Sequence, residues 1–227
     1  MKLTLYSGTR NASSWAMRAW LSLKETNTEF EDIIVDIKRP QRWRNIAEIS
    51  TFSPASRVPV LVVEEAISQN NNKHVIYDSQ AIMEFVNELS NNQLLPDDTF
   101  VRAEARSMLA WQHADMGKIC PSLSFESSFY PDKKILSADN IKSAEGLYQV
   151  WEGLLSKYQG PYLFGNVSLA DLTLVPSVLR LTSHLEPSHH FHLTKAWAER
   201  LLNRPHVKAW LDEAYELDPI YYDSYLH

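Results

Sequence analysis

Cysteine is nearly absent: Cys120 is the only one among 227 residues. A disulfide within the chain is therefore excluded, and the single thiol suits a reducing compartment. Standing before Pro121, it reads as a small buried apolar group rather than a nucleophile. Long apolar runs are missing as well. No stretch of about 18 apolar residues occurs, so no membrane span is expected. The opening residues alternate instead of forming an apolar signal region, and the expectation is a cytoplasmic protein. There is no surplus of basic charge: 22 Lys and Arg face 28 Asp and Glu, for a net charge of −6. That balance argues against a general nucleic-acid surface. No repeat of about 20–50 residues is visible. Nor is there a metal-ligand pattern. His184, His189, His190 and His192 match no ligand spacing and have no cysteine or carboxylate cluster beside them, so they read as a solvated loop and no metal is expected.

What is present is ordinary globular composition, 44% hydrophobic and 22% charged. The length allows one large or two small domains with a real core. In residues 2–7, Leu3 and Leu5 alternate with Lys2, Thr4 and Tyr6, which is the period of a strand. Residues 8–12 form a polar connector. Ala16, Trp20 and Leu23 then share one helical face, with Ser13 or Ser14 at the N-cap position. A second strand is expected over 29–36. An irregular basic segment follows over 38–44, broken by Pro40. Residues 53–57 are a turn cluster. Residues 58–63 read as a strand, with Pro59 near its start. A polar hairpin loop over 69–73 returns the chain through 74–77, so these two strands are antiparallel. Asp78 and Ser79 precede a helix marked by Ile82, Phe85, Val86 and Leu89. Residues 1–90 thus form a small α/β domain. Past an Asn-rich boundary at 90–98, residues 97–227 show helical periods only, around Met108, Trp151, Leu169–Leu185 with Pro176, Leu201 and Trp210.

The opening strand, turn and helix carry the chemistry. Such a turn leaves free backbone N–H groups at the positive end of the helix dipole, where an anion is stabilised without a metal. A thiolate is such an anion, and a hydroxyl on Ser13 or Ser14 can donate a charge-assisted hydrogen bond to it. Lowering a thiol pKa by two units needs about 2.7 kcal/mol. Helix capping alone also accounts for these serines.

Four motifs, taken together, resemble cytosolic glutathione transferases over nearly the whole chain. Asn11-Ala12-Ser13-Ser14-Trp15-Ala16-Met17-Arg18 is similar to the first-helix signature of serine-type members, close to the zeta (maleylacetoacetate isomerase) pattern and to bacterial relatives. Ser56-Arg57-Val58-Pro59-Val60-Leu61 resembles the segment with the family's cis-proline. Tyr77-Asp78-Ser79-Gln80-Ala81-Ile82 resembles the motif that holds the γ-glutamyl group. Ser168-Leu169-Ala170-Asp171 resembles the capping box of the helical domain. The resemblance implies a thioredoxin-like N-terminal domain, an all-α helical-bundle C-terminal domain, a homodimer, and glutathione as co-substrate against a small electrophile. It implies that Ser13, then Ser14, serves the thiol, with Asn11 beside them in the place of the zeta enzymes' working serine. Val58 and Pro59 would meet the cysteinyl backbone and Ser79 a carboxylate. Asp78 would meet the α-ammonium, and Arg57 with one of Lys38, Arg42 or Arg44 the glycyl carboxylate. Trp111, His113, Met116 and Phe125 would line the pocket for the second substrate; core packing alone accounts for them as well. Tyr6 reads as a strand residue. With no cysteine in the turn, a mixed-disulfide cycle lacks its nucleophile. A glutathione-dependent cis-trans isomerase and a non-catalytic binding module are the alternatives.

Overall fold

In the computed structural model, which describes residues 1–38, 42–67, 70–114, 116, 122–133 and 135–221, the chain divides into two units, Met1–Asn92 and Gln93–His227. Cys120, read above as a buried apolar group, lies outside the described residues. The first unit is organised on β1 (Lys2–Gly8), whose alternation buries Leu3 and Leu5 on one face. β1 pairs in parallel with β2 (Glu31–Val35) and antiparallel with β3 (Val60–Ile67). β4 (Asn70–Tyr77) pairs antiparallel with β3 and completes the order β2-β1-β3-β4. The parallel pair requires a crossover. It is supplied by α1 (Ser14–Glu25), whose Ala16, Trp20 and Leu23 are buried. α1 lies against α3 (Ser79–Leu89).

The other face of the sheet is covered by α2 (Arg42–Ser50). Ile49 packs with Val60 and Val62, joined by Tyr6, Val35, Phe52, Val58 and Val75. Tyr6 packs on Phe52 with the rings tilted and 4.9 Å between centroids, as a strand residue of this face.

Three expectations need correction. Residues 42–44 open a helix rather than belonging to an irregular segment; α2 buries only Ile49 fully and leaves Trp43 70% exposed, so its apolar period is faint. β4 starts at Asn70, inside the expected hairpin loop, because Asn70–Lys73 pair with Glu64–Ile67 through the main chain, which asks nothing of side-chain polarity. β2 is shorter than 29–36.

The second unit is helical: α4 (Thr99–Ala114), α5 (Ala138–Tyr158), α6 (Leu169–Thr182), α7 (His192–Leu202) and α8 (Pro205–Tyr215), with short 3₁₀ turns at Glu126–Phe129 and His189–Phe191. α6 is buried from Leu169 to Leu181 and is apolar nearly all round, as a central helix must be. Pro176 lies within it without ending it. Asp171, fully buried, accepts hydrogen bonds from Leu163 N–H (3.1 Å), Ser168 N–H (2.9 Å), Ser168 Oγ–H (2.8 Å) and Trp197 Nε1–H (2.9 Å). Burial pushes its carboxyl above the usual range, against the pull of those donors. α7 has no capping side chain of its own at Phe191. Glu152 of α5 accepts its Leu193 N–H (3.1 Å) and Thr194 N–H (2.7 Å) instead.

The expected solvated histidine loop holds for His189 and His190 but not for His184. His184 is half-buried with Nδ1 2.8 Å from the Arg180 carbonyl oxygen. Burial lowers its pKa, and the nearby Lys133 charge adds to this. Among the described residues no helix is long and apolar enough to cross a membrane. Among them, too, no group of His, Cys, Asp and Glu side chains is gathered to hold a metal.

Candidate active site

Sheet register brings the predicted segments to one edge. Tyr6, Val60 and Tyr77 occupy a single rung across β1, β3 and β4. Beyond that rung, β1 runs out into the turn that ends at Ser13. β3 is entered from Arg57, Val58 and Pro59, and β4 runs out into Asp78 and Ser79. Three stretches far apart in the chain therefore meet where the strands end.

In the turn, Ala12 N–H and Ser13 N–H both donate to the Thr9 carbonyl, at 3.0 and 2.9 Å. Ser13, rather than Ser14, is the N-cap of α1; its Oγ accepts the Ala16 N–H at 3.3 Å. A serine hydroxyl has two lone pairs and one proton. The cap engages a lone pair and leaves the proton for donation. Ser13, Ser14 and Asn11 are all buried, at 4%, 8% and 1% exposure. Gly8 explains how Ser13 comes so close to the sheet. A Cβ placed on Gly8 would lie 2.7 Å from Ser13 Cβ, 2.8 Å from Ser13 Oγ and 3.0 Å from Val58 Cγ2. Ser13 and Val58 thus share the space that the missing side chain leaves.

The Val58–Pro59 peptide is cis. Val58 is half-buried and Pro59 buried. Arg57 is exposed, with Nε donating to the Ala55 carbonyl at 3.2 Å. Asp78 caps α3 at φ 77° and ψ 131°, and its Oδ1 accepts the Gln80 N–H at 2.9 Å. That backbone conformation costs a non-glycine residue on the order of 1–3 kcal/mol, and such outliers cluster at ligand sites. Ser79, first residue of α3, is 2% exposed, and its Oγ has no hydrogen-bond partner among the described residues. An unmet buried hydroxyl costs about 1–3 kcal/mol. Here it sits beside the N–H groups of a helix start, where an anionic ligand would satisfy it. Arg42 opens α2; its Nε is likewise buried with no hydrogen-bond partner among the described residues, and its guanidinium lies 5.7 Å from the Trp43 ring centroid.

In the second unit, Trp111 is half-buried on α4 and Met116 is buried at 4% exposure. Ser168 and Asp171 hold the first turn of α6, as the motif implied.

Sequence reasoning missed the far side of the turn. Arg10 Nη2 donates to Asp32 Oδ2 at 2.5 Å and Arg10 Nη1 to Ser7 Oγ at 3.2 Å, while Ser7 Oγ donates to Asp32 Oδ1 at 2.6 Å. Thr9 Oγ1 donates to Asp36 Oδ1 at 3.3 Å and accepts the Ile37 N–H at 3.1 Å. Asn45 of α2 donates to the Asp36 carbonyl at 2.7 Å. No local spacing announces these links. The alternation that sets Asp32 on a strand beside β1 is the one available signal.

The chain matches the family model described as "Glutathione S-transferase, N-terminal domain" over residues 12–89. It matches "Glutathione S-transferase, C-terminal domain" over residues 124–214. It is 32% identical over 193 residues to a protein of Caenorhabditis elegans described as "Probable maleylacetoacetate isomerase", covering 78% of each chain. The fold is shared with an epsilon-class glutathione S-transferase of the housefly Musca domestica, at a TM-score of 0.72 and 24% identity over 95% of this chain and 94% of that one. It is also shared with a glutathione transferase homologue of Burkholderia solved with bound glutathione, at a TM-score of 0.66 and 23% identity over 96% of this chain and all (100%) of that one.

Proposed function

This chain belongs to the cytosolic glutathione transferase superfamily, and we propose that it works there as a serine-type transferase. In this reading the first unit binds glutathione, lowers the pKa of its thiol and directs the sulfur at a small electrophile. The observation that carries it is the Ser13 hydroxyl, buried at the start of α1 and lying over Gly8, in the space that Val58 also borders.

Glutathione supplies the nucleophilic thiol; residues 1–92 contain no cysteine of their own. Ser13 donates its proton to the sulfur, and the α1 terminus adds its dipole. A hydrogen bond to a charged group contributes about 1.5–3 kcal/mol, and a helix end about 0.3–1 kcal/mol. Together these lower a thiol pKa of about 8.5 to roughly 6–7. Ser14 and Asn11 stand on either side of Ser13 in the same turn. Ser79 offers its unmet hydroxyl and the α3 N–H groups to the γ-glutamyl carboxylate, and Asp78 faces the α-ammonium. The Val58 main chain, held by Pro59, pairs with the cysteinyl backbone in strand fashion. Arg42 and Arg57 answer the glycyl carboxylate. Trp111 and Met116 are the proposed contacts of the electrophile. A cytoplasmic homodimer is the proposed assembly.

Replacing Ser13 by Ala tests the reading. Turnover with glutathione and a chromogenic electrophile is expected to fall about 10- to 100-fold at neutral pH, as loss of one charge-assisted bond requires. KM for glutathione is expected to change by no more than about twofold, because the bond strengthens with the charge on sulfur. Unaltered turnover removes Ser13 from this role.

The 32% identity to the Caenorhabditis elegans protein supports a second reading, isomerisation with glutathione used catalytically. Conversion of a cis-enone diacid without net loss of glutathione distinguishes it from transfer.

A further inference from the structure

β1 lies between β2 and β3, so the turn leaving it has a neighbour on each side. Toward β3, Ser13 and Val58 both border the space over Gly8. Toward β2, no group takes part in the proposed chemistry, yet the turn is bonded there through buried charge. The side chains of Arg10 and Asp32 are 6% and 18% exposed. Ser7, fully buried, bridges them, donating to the Asp32 carboxylate and accepting from Arg10. The guanidinium also lies 5.5 Å from the centroid of Trp20 on α1.

We propose that Ser7, Arg10 and Asp32 are positioning residues for the thiol site, gripping the turn from the β2 side so that the Ser13 hydroxyl is held against Gly8 and Val58. The proposal rests on the glutathione reading of the same turn. A buried ion pair is by itself weak support for stability, since desolvation offsets most of its attraction. Registry is the better-attested use of such a pair. Here the coupling has a route. Arg10 precedes Ser13 by three residues, and the backbone between them is closed by two N–H donors on the single Thr9 carbonyl. Thr9 is itself tied to Asp36 and Ile37. Moving residue 10 therefore carries Ser13 with it. The pair neutralises itself and reaches toward β2, away from Val58, so its effect on the sulfur is through geometry rather than charge.

Asp32→Asn, nearly unchanged in volume, tests this. From the pH dependence of kcat/KM and the ultraviolet absorbance of bound thiolate, the pKa of bound glutathione is expected to rise by about one unit, cutting kcat/KM about tenfold near pH 6. At alkaline pH, where the thiol ionises unaided, the variant is expected to approach the parent enzyme. Asp32→Glu is expected to restore most of the loss, and Ser7→Ala to give a smaller rise of the same sign. A pKa that does not move, or one that falls because the released Arg10 charge acts on the sulfur directly, overturns the proposal. If Asp32→Asn does not fold, Ser7→Ala and Arg10→Lys decide, and an unmoved pKa in both overturns it. A parent enzyme that neither binds nor conjugates glutathione refutes the broader reading and this proposal with it. An active parent with unmoved variants refutes only the positioning role.

Discussion

Gly8→Ala places one methyl group at a crowded point of the candidate site. Gly8 is a strand residue outside the left-handed region, so alanine meets no backbone penalty there, and the whole effect comes from contact. The new Cβ would stand 2.7 Å from Ser13 Cβ and 2.8 Å from Ser13 Oγ. Carbon atoms rest at about 3.5–4.0 Å, so Ser13 must retreat by roughly 1 Å. The Val58 methyl at 3.0 Å is a side-chain end and gives more readily. A displacement of about 1 Å at a reacting centre costs on the order of 100-fold in rate. Overpacking of this kind costs about 1–3 kcal/mol of stability, or a fall in Tm of about 2–10 °C for a chain of this size. The assay is initial-rate conjugation at saturating glutathione, with a thermal melt on the same preparation. The expected result is a rate loss that exceeds anything the melt explains, since the protein stays folded at the assay temperature. A variant that melts earlier but turns over like the parent would refute the claim that Ser13 works where it is packed.

Ser79→Ala removes a hydroxyl that has no partner among the described residues, so the melting temperature is expected to hold or rise slightly. KM for glutathione is expected to rise about tenfold as one bond to a charged group is lost. A lower Tm with unchanged KM would make that serine structural. Burial holds His184 below its ordinary value of 6.5, with Lys133 adding to the effect. In acid the unfolded chain takes up this proton before the folded one does. The stability from neutral His184 is thus present above pH 6.5 and lost as the pH falls from there through its folded-state value. Melting curves recorded across that window are expected to show the loss, and His184→Gln to flatten it.

Local signals and long-range consequences separate in this chain. The helix starts at Ser13, Asp78 and Ser168 were legible because a cap and the apolar period after it lie within a few residues of each other. The hairpin of β3 and β4 was legible for the same reason. α2 was not, because only Ile49 faces a core, while Trp43 and Arg44 face water. The pairing of Asn70–Lys73, the first half of β4, escaped because a partner strand, rather than composition, makes those residues extended. At the site, the motif residues were readable one by one. The close packing over Gly8 was not, since it depends on residues 8, 13 and 58 meeting in space. The Arg10–Asp32 pair spans 22 positions, and neither residue carries a mark that distinguishes it from a solvated charge.

The Glu152 carboxylate makes the start of one helix depend on another. α7 has 11 residues, too few to hold a helix alone in water, and it borrows its terminal acceptor from α5. Its winding is therefore expected to depend on docking against α5, which has 21 residues and the Ser137 cap of its own. A lesion in the middle of α5 would then surface as fraying some forty residues downstream.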